Sequence, residues 1–258
     1  MVSAVDPYRT ASRPPEHLGR VLVAADFHLD GSEEARVRLG ALLDLAHAEE
    51  ETLLILGDLF HYWFGPRHLE LDMYARELDL LAQATARGTP IHLIPGNRDF
   101  LLDRSFTRRT GISVGGDLMR VRVGDEWVHF SHGDLFSTSD LHYQAMRHLI
   151  RSAPIRLLAR VFPAAVVDRI AARLRSHSER VVSEKSLITL DPDISEVFRH
   201  FREGNDVVIC GHFHRFRDEQ LVGPGGQGRF IVLEPFENDG AFLRGDGDGG
   251  WTTEWVTT

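Results

Sequence analysis

The sequence predicts an α/β fold in which a parallel sheet is assembled from right-handed βαβ units. Five short apolar runs have the length of strands, and their apolar residues are consecutive, which is typical of strands buried on both faces. These runs are "RVLVAADFH" (20–28), "TLLILGDLF" (52–60), "PIHLIPGNRD" (90–99), "EWVHFSHGD" (126–134) and "NDVVICGHFH" (205–214). Helical patterns separate the first three runs, and the alternation of strands and helices along a chain favours a parallel sheet.

Two helices are predicted between the first three strands. Residues 33–50 and 69–87 each repeat apolar side chains at intervals of three and four, which marks one buried helix face. The side chains on these faces are Leu39, Leu42, Leu43 and Ala46 in the first helix and Leu71, Tyr74, Leu78 and Leu81 in the second. Gly88 directly follows the second pattern, as glycine commonly does after the end of a helix.

The second half of the chain adds a hairpin, a helix and a β-rich tail. The segment "LMRVRVGDEWVHF" alternates on either side of its "GD" and predicts a β-hairpin. The segment "DPDISEVFRHFREG" predicts a helix with Asp191 as its N-cap, Pro192 in its first position and Gly204 at its end. After residue 217 the pattern is β-like. The "DGDGG" stretch is predicted to be a turn and not a calcium loop, because the twelfth position from Asp246 is threonine.

Length, charge and cysteine content limit the classes of protein that fit. The chain of 258 residues is predicted to have a flexible tail over 1–19 and one domain over 20–258, with a helical insertion at about 140–190. A net charge of −9 disfavours a nucleic-acid-binding protein. The single cysteine, Cys210, excludes an internal disulfide and indicates a reducing compartment. With no signal-peptide pattern and no apolar run of about 18 residues, the sequence predicts a cytoplasmic protein.

Polar side chains follow all five apolar runs, and they are of the types that bind metal ions. They are Asp26 and His28, Asp58, Asn97, His132, and His212 and His214. Ligands of open α/β sheets collect at the carboxyl ends of the strands, so these side chains are expected to converge. Seven oxygen and nitrogen donors are too many for one tetrahedral zinc ion and suit two divalent ions bridged by the carboxylate of Asp58. The donor set is compatible with Mn²⁺, Fe²⁺ or Zn²⁺. Asp99 and Asp134, which closely follow donors, are expected to orient them.

The same motifs carry a resemblance to a known family. The segments "ADFH", "GDLF", "PGNRDF", "SHGD" and "CGHFH" stand in the order found in calcineurin-like metallophosphoesterases. The resemblance implies the fold of that family, in which central β-sheets built from βαβ units are flanked by helices, with a helical cap insertion. It implies one metal ion on Asp26, His28, Asp58 and His214, a second on Asp58, Asn97, His132 and His212, and a preference for Mn²⁺. The implied catalytic residues are Asp58, Asn97, Arg98, His132 and His212.

Further motifs narrow the resemblance to the UDP-2,3-diacylglucosamine pyrophosphatases of lipid A biosynthesis. They are "RDF" beginning at Arg98, "GDLFHYWFG", "HGDLFSTSD" and "SHSERVVSEKSL". This resemblance implies hydrolysis of a nucleotide-linked glycolipid to UMP and 2,3-diacylglucosamine 1-phosphate. The implied substrate contacts are Asn97, Arg98, Asp140, Ser178, Lys185 and His212. Val182 stands where that family usually has asparagine. A phosphoesterase acting on soluble nucleotides or on other phosphomonoesters or diesters is the alternative.

The predicted insertion is strongly basic and partly apolar. Residues 145–180 contain eight arginines but only Asp168 and Glu179 as acidic residues, and apolar residues lie between the arginines. This composition predicts a surface that contacts an anionic membrane and a lipid substrate, which would make the protein peripheral on the inner membrane. A solvated helical hairpin is the alternative interpretation. No protein partner is implied, and a non-catalytic scaffold is disfavoured because all seven donor positions are filled.

Overall fold

The computed structural model describes residues 15–137 and 191–257. Several sequence predictions lie outside these residues. They are the flexible tail before residue 15, the helical insertion at about 140–190 with its arginines, and the substrate contacts Asp140, Ser178 and Lys185. These stay predictions.

In the described residues the strands form two six-stranded sheets. Sheet 1 has the order β12-β11-β2-β3-β4-β5, with strands Trp251–Trp255, Ala241–Gly245, Val21–Ala24, Thr52–Ile55, Ile91–Leu93 and Ser113–Val114. Sheet 2 has the order β1-β6-β7-β8-β10-β9, with strands His17–Leu18, Leu118–Val123, Glu126–Ser131, Val207–Cys210, Gly226–Val232 and Arg217–Gly223. Strands β2 to β5 are parallel, and so are β7, β8 and β10, so each sheet has a parallel centre.

The same parts of the chain contain five α-helices. They are α1 (Glu33–Ala48), α2 (Ala75–Ala86), α3 (Arg104–Thr110), α4 (Ile194–Arg202) and α5 (Phe236–Asp239). Helix α1 buries the predicted face, whereas α2 starts later than predicted because two 3-10 turns precede it and Leu71 between them is extended. Among these helices, none combines the length and the apolar character that a membrane span requires.

The two sheets pack face to face, and central strands such as β2 and β8 contribute to two cores. In β2, Val21 and Val23 belong to the core shared by both sheets. Leu22 and Ala24 of the same strand belong to the core beneath α1 and α2. In β8, Val207 and Ile209 lie in the shared core, and the alternate residues pack with α4. Both faces of these strands are therefore buried, which explains why their sequences are continuously apolar.

The predicted strands form in the predicted places, and they are divided between two sheets, in agreement with the central β-sheets that the family resemblance implies. Strands β2, β3 and β4 are in sheet 1, and β7 and β8 are in sheet 2. A strand that is apolar on both faces fits a sheet covered by helices and also fits a sheet facing another sheet, so hydrophobic periodicity does not distinguish the two. The predicted hairpin is confirmed as the antiparallel pair β6–β7. The "DGDGG" turn is confirmed too, since Asp246 Oδ1 accepts the N–H groups of Asp248 and Gly250 at 2.8 and 2.9 Å.

The predicted tail ends at least three residues too late. His17–Leu18, which the sequence analysis assigned to the flexible tail, forms β1 and pairs with Arg122–Val123. The side chain of Leu18 is buried in the shared core. The domain therefore includes these residues, because the pairing buries Leu18 and covers the edge of β6 that would otherwise be unpaired.

The predicted N-cap of α4 is also wrong. Asp193, not Asp191, caps the helix, and its carboxylate accepts the N–H of Ser195 at 2.9 Å. Asp191 instead forms an ion pair with Arg217 at the start of β9. Pro192 consequently precedes the helix, while the predicted end is confirmed because Gly204 follows it with a positive φ of 83°.

Candidate metal centre

All seven predicted donors lie together, where strands of both sheets reach their carboxyl ends. Asp26 and His28 follow β2, Asp58 follows β3, Asn97 follows β4, His132 follows β7, and His212 and His214 follow β8. Backbone hydrogen bonds join the loops: the N–H of His28 donates to the carbonyl of Asp58 at 3.0 Å. The N–H of Gly211 donates to the carbonyl of His132 at 2.9 Å. Because parallel strands end at one edge, donors far apart in sequence become neighbours.

The loops that carry the donors have an unusual backbone conformation. Among the described residues, six residues other than glycine have a positive φ. Five of them are donors, namely Asp26 (56°), His28 (43°), Asp58 (52°), His212 (73°) and His214 (50°). Side chains disfavour this left-handed region, at a cost of about 1–3 kcal/mol for each residue. Strain of this kind persists only where the surrounding structure enforces it, and its concentration on the donors is typical of a functional site.

Asp26, His28 and His214 form one group of donors. Their ligand atoms all lie within 4.8 Å of one another. His214 Nε2 is 3.5 Å from Asp26 Oδ1. His28 and Asp26 are buried, whereas the side chain of His214 is 39% exposed, so the group opens to solvent on the side of His214.

Asp26, Asp58 and His132 form a second group within the same 4.8 Å limit. His132 Nε2 lies 3.7 Å from Asp58 Oδ1, 2.9 Å from Asn97 Oδ1 and 3.2 Å from His212 Nδ1. The other oxygen of Asp58, Oδ2, lies 3.3 Å from His28 Nε2. Each oxygen of Asp58 therefore adjoins a different histidine, as the two oxygens of a bridging carboxylate would.

Two glycines allow the carboxylates to approach their neighbours this closely. A Cβ on Gly96 would lie 2.2 Å from Asp58 Oδ1, and a Cβ on Gly211 would lie 2.6 Å from Asp26 Oδ2. Real Cβ atoms essentially never approach other heavy atoms below 3.0 Å. The glycines of the "PGN" and "CGH" motifs are therefore required for the geometry of the donors, in addition to any role in turning the chain.

Burial and mutual attraction set the protonation states of the donors. Burial alone would raise the pKa of Asp58, but the charge of His132 and the hydrogen bond with His28 lower it well below its ordinary value. Burial opposes protonation of His28 as well, yet its hydrogen bonds to Asp58 and Glu237 raise its pKa to about 9. For His212, burial and the charge of His132 lower the pKa to about 4. Near neutral pH Asp58 is thus ionised and His212 is neutral, which are the forms that bind metal ions, whereas His28 is protonated and must release a proton when it binds one.

The donors fit divalent metal ions. Asp26 Oδ1 is buried, and within 15–137 and 191–257 no group donates a well-formed hydrogen bond to it, His214 Nε2 being 3.5 Å away. The single thiol of the chain, Cys210, is buried in the core between sheet 2 and α4, and burial raises its pKa well above the ordinary value. The set therefore consists of carboxylate and amide oxygens and imidazole nitrogens, a mixture that suits Mn²⁺, Fe²⁺ or Zn²⁺.

Asp99 holds two of the donor loops together. Its two carboxylate oxygens accept the N–H groups of Gly96 and Leu59, each at 2.7 Å, and so connect the loops after β4 and β3. Burial and repulsion by Asp58 raise the pKa of Asp99 to about 6. These contacts are of the orienting kind that the sequence analysis expected for Asp99.

Glu237, which was not among the predicted residues, lies beside two of the donors. Its Oε1 lies 2.9 Å from His28 Nδ1 and 3.8 Å from His214 Nδ1. Glu237 follows β10, which is parallel to β8 and therefore ends at the same edge of sheet 2. The signal that could have found it is a sixth apolar run with a polar ending, "FIVLEPFE" at 230–237.

Arg98 lies directly beside the donors and is more accessible than most of them. Its N–H donates to Asp58 Oδ1 at 2.9 Å, and its Nε lies 3.3 Å from Asp58 Oδ2. The side chain of Arg98 is 34% exposed, whereas that of Asp58 is buried. A guanidinium that is always charged and partly accessible beside a metal site can engage phosphate oxygens in pairs.

Comparisons with known proteins agree with this geometry. A sequence model of the calcineurin-like phosphoesterase family matches residues 19–216, which include all seven donors. A UDP-2,3-diacylglucosamine hydrolase of Aromatoleum aromaticum is 35% identical over 88% of this chain and 94% of its own length. Proteins of the same name from Ectopseudomonas mendocina and Escherichia coli are 33% and 31% identical, over 89% and 86% of this chain and 95% and 93% of their own lengths. The chain therefore belongs to the calcineurin-like phosphoesterase family and is a metal-dependent hydrolase.

Proposed function

We propose that the chain hydrolyses the pyrophosphate bond of UDP-2,3-diacylglucosamine and releases UMP and 2,3-diacylglucosamine 1-phosphate. The observation that carries this proposal is the convergence of seven side chains of metal-binding types beside the partly exposed Arg98. The choice of substrate is supported by relatives of that activity, which align over nearly their whole length. A pyrophosphate is strongly anionic, and an assembly of cations is the environment that stabilises charge developing on its oxygens.

The seven donors are proposed to hold two divalent ions, and we propose Mn²⁺ for both. One ion would be held by Asp26, His28, Asp58 and His214, and the other by Asp58, Asn97, His132 and His212. The sharing of Asp58 is supported by the positions of its two oxygens, one beside His28 and one beside His132. When bound, such ions stabilise negative charge on phosphoryl oxygens and lower the pKa of water.

Arg98, Asn97 and His212 are proposed to contact the phosphates of the substrate. The backbone N–H of Arg98 donates to one oxygen of Asp58 and its Nε lies 3.3 Å from the other, and these contacts would hold the guanidinium beside the bond that breaks. Asn97 Oδ1 and His212 Nδ1 both lie within 3.2 Å of His132 Nε2, so these three side chains form one compact group. Groups held in place before the reaction stabilise developing charge without having to reorganise.

Water is proposed to attack the α-phosphorus in line. The bond between this phosphorus and the bridging oxygen breaks, and the acylated sugar 1-phosphate leaves with that oxygen. Hydrolysis in ¹⁸O-labelled water should then label UMP and leave the sugar phosphate unlabelled. Label in the sugar phosphate alone would show that the other phosphorus is attacked.

The insertion at about 140–190 is proposed to hold the acyl chains and to contact an anionic membrane surface, with Asp140, Ser178 and Lys185 contacting substrate. Each arginine near an anionic surface contributes about 1 kcal/mol to binding, which salt weakens. Arg→Ala changes within 147–160 should reduce binding to anionic vesicles and activity on vesicle-borne lipid. Arg108→Ala is the matched control, because Arg108 is an exposed arginine on α3 and is not part of the insertion sequence.

The deciding experiment compares two substrates. The purified protein is assayed with Mn²⁺ on UDP-2,3-diacylglucosamine and on a simple aryl phosphodiester, with metal content measured on the same sample. The proposal expects faster turnover of the glycolipid and two ions per chain. Turnover of the aryl phosphodiester alone would favour a phosphoesterase with a soluble substrate, and at most one ion in the active protein would contradict the two-ion site.

A further inference from the structure

We infer that Glu237 is a positioning residue that holds His28 in the orientation and the tautomer needed to bind one of the metal ions. This inference rests on the proposed function, since it assigns His28 to a metal ion. The contact that supports it joins Glu237 Oε1 and His28 Nδ1, which are 2.9 Å apart. The carboxylate is 38% exposed and the imidazole is buried, so Glu237 closes the outer side of the site.

The start of α5 is attached to the whole "ADFH" motif at residues 25–28, and not to His28 alone. The N–H of Phe236 donates to the carbonyl of Ala25 at 3.0 Å, and the N–H of Glu237 donates to the next carbonyl at 3.1 Å. The ring of Phe236 is fully buried and stacks on Phe27 with ring centroids 4.2 Å apart. These contacts fix the backbone of Glu237 relative to the motif, and the carboxylate is therefore delivered to His28 by a rigid support.

The chemistry of a carboxylate determines the tautomer of His28. An ionised carboxylate only accepts hydrogen bonds, so its contact with Nδ1 requires the proton of the neutral ring to be on that nitrogen. The lone pair of the ring is then on Nε2, which lies 3.3 Å from Asp58 Oδ2 among the donors. A carboxylate bound to the second nitrogen of a metal-binding histidine also raises the basicity of the first.

Glu237 acts on His28 and not equally on His214. His214 Nδ1 is 3.8 Å from the same oxygen, which is longer than a hydrogen bond. His214 Nε2 instead lies 3.5 Å from Asp26 Oδ1. The loss of Glu237 should therefore affect one ion, the one assigned to His28, more than the other.

The experiment measures Mn²⁺ binding by the parent protein and by Glu237→Ala, Glu237→Gln and Asp239→Ala. Asp239 is the matched control, because it carries the same charge on the same short helix and is exposed. Each protein is stripped of metal, and the number and affinity of its ions are measured by titration against a competing chelator. The melting temperature of each metal-free protein is measured alongside.

Glu237→Ala should weaken the affinity for one of the two ions by about 10- to 100-fold and leave the other nearly unchanged. Glu237→Gln keeps an oxygen that accepts the Nδ1 proton but lacks the charge, so its loss should be smaller. Asp239→Ala should bind both ions as the parent does. If Glu237→Ala does not fold, the inference is tested by Glu237→Gln, which is expected to lose affinity for one ion by a smaller factor.

Four other outcomes would overturn the inference, and the measurements distinguish them. Parental affinities in Glu237→Ala, or in Glu237→Gln if that is the variant that folds, would show that the contact does not position His28. Equal weakening of both ions with a lower melting temperature of the metal-free protein would show a merely structural role. Loss of one ion from Glu237→Gln would show that Glu237 is itself a metal ligand. A parent protein that binds no divalent ions would overturn the proposed function itself.

Discussion

Replacing Gly96 by alanine changes the geometry of the site while every donor remains. Gly96 immediately precedes Asn97, and a Cβ there would lie 2.2 Å from Asp58 Oδ1 and 2.5 Å from the backbone nitrogen of Asp58. Gly96 is not among the residues with positive φ, so its backbone conformation is open to alanine. The substitution therefore introduces a steric conflict with Asp58 and no backbone strain of its own.

The size of the effect follows from the distances. The conflict is with a backbone atom as well as a side chain, so a rotation of the Asp58 side chain cannot relieve it. Contacts below 3.0 Å essentially do not occur, which means that the loops after β3 and β4 must separate by about 1 Å. A displacement of about 1 Å at a reacting centre costs about 100-fold in rate, or about 3 kcal/mol of transition-state stabilisation. Overpacking in a buried site also costs about 1–3 kcal/mol of folding stability.

The assay measures kcat/KM with Mn²⁺, the Mn²⁺ affinity and the free energy of unfolding in urea for Gly96→Ala and for Gly40→Ala. Gly40 lies within α1, and a Cβ there would meet no atom within 4 Å. Alanine at Gly40 should leave activity unchanged and stabilise the helix by up to about 1 kcal/mol. Parental activity together with parental Mn²⁺ affinity in Gly96→Ala would refute the reasoning.

Three other predictions concern metal, pH and helix capping. Chelation should abolish hydrolysis, and Mn²⁺ at about 100 times its dissociation constant should add about 2.7 kcal/mol to the free energy of unfolding. Among alanine variants of the seven donors, Asp58→Ala should retain the least metal in elemental analysis. His129 is buried and stacks on His200, and burial together with the charge of His200 lowers the pKa of His129 to about 3. Below a pH of about 6.5, His129 of the unfolded chain takes up a proton that native His129 does not. The free energy of unfolding in urea should therefore fall by about 1 kcal/mol between pH 7.5 and 5.5, and it should fall by less in His129→Phe. Asp193→Ala should cost about 1 kcal/mol through loss of the N-cap of α4, whereas Asp191→Ala, which breaks an ion pair with Arg217, should cost less in the same measurement.

The sequence alone determined the α/β class and the seven donors because both depend on local signals. A buried strand is marked by a continuous apolar run, and its carboxyl end is marked by a change to polar residues, as between Val207–Cys210 and His212. Parallel strands bring such ends to one edge whatever the rest of the fold does. The convergence of the donors could therefore be predicted before the arrangement of the sheets was known.

The start of α4 was misplaced because two acidic residues compete for the N-cap position. Asp191 and Asp193 are two residues apart, and their local signals are nearly equal. In the structure Asp193 caps the helix, and Asp191 pairs with Arg217 on a strand that is distant in sequence. A window of neighbouring residues contains no information on that partner.

The tertiary structure alone decided the division of the strands between two sheets and the place of Glu237. Strands such as β8 are apolar on both faces, and this pattern is the same whether the second face meets a helix or another sheet. Glu237 reaches His28 because β10 pairs in parallel with β8 and because Phe236 packs on Phe27. A sequence records the order and polarity of its residues, whereas the distance between two side chains far apart along the chain depends on which strands pair and which faces meet.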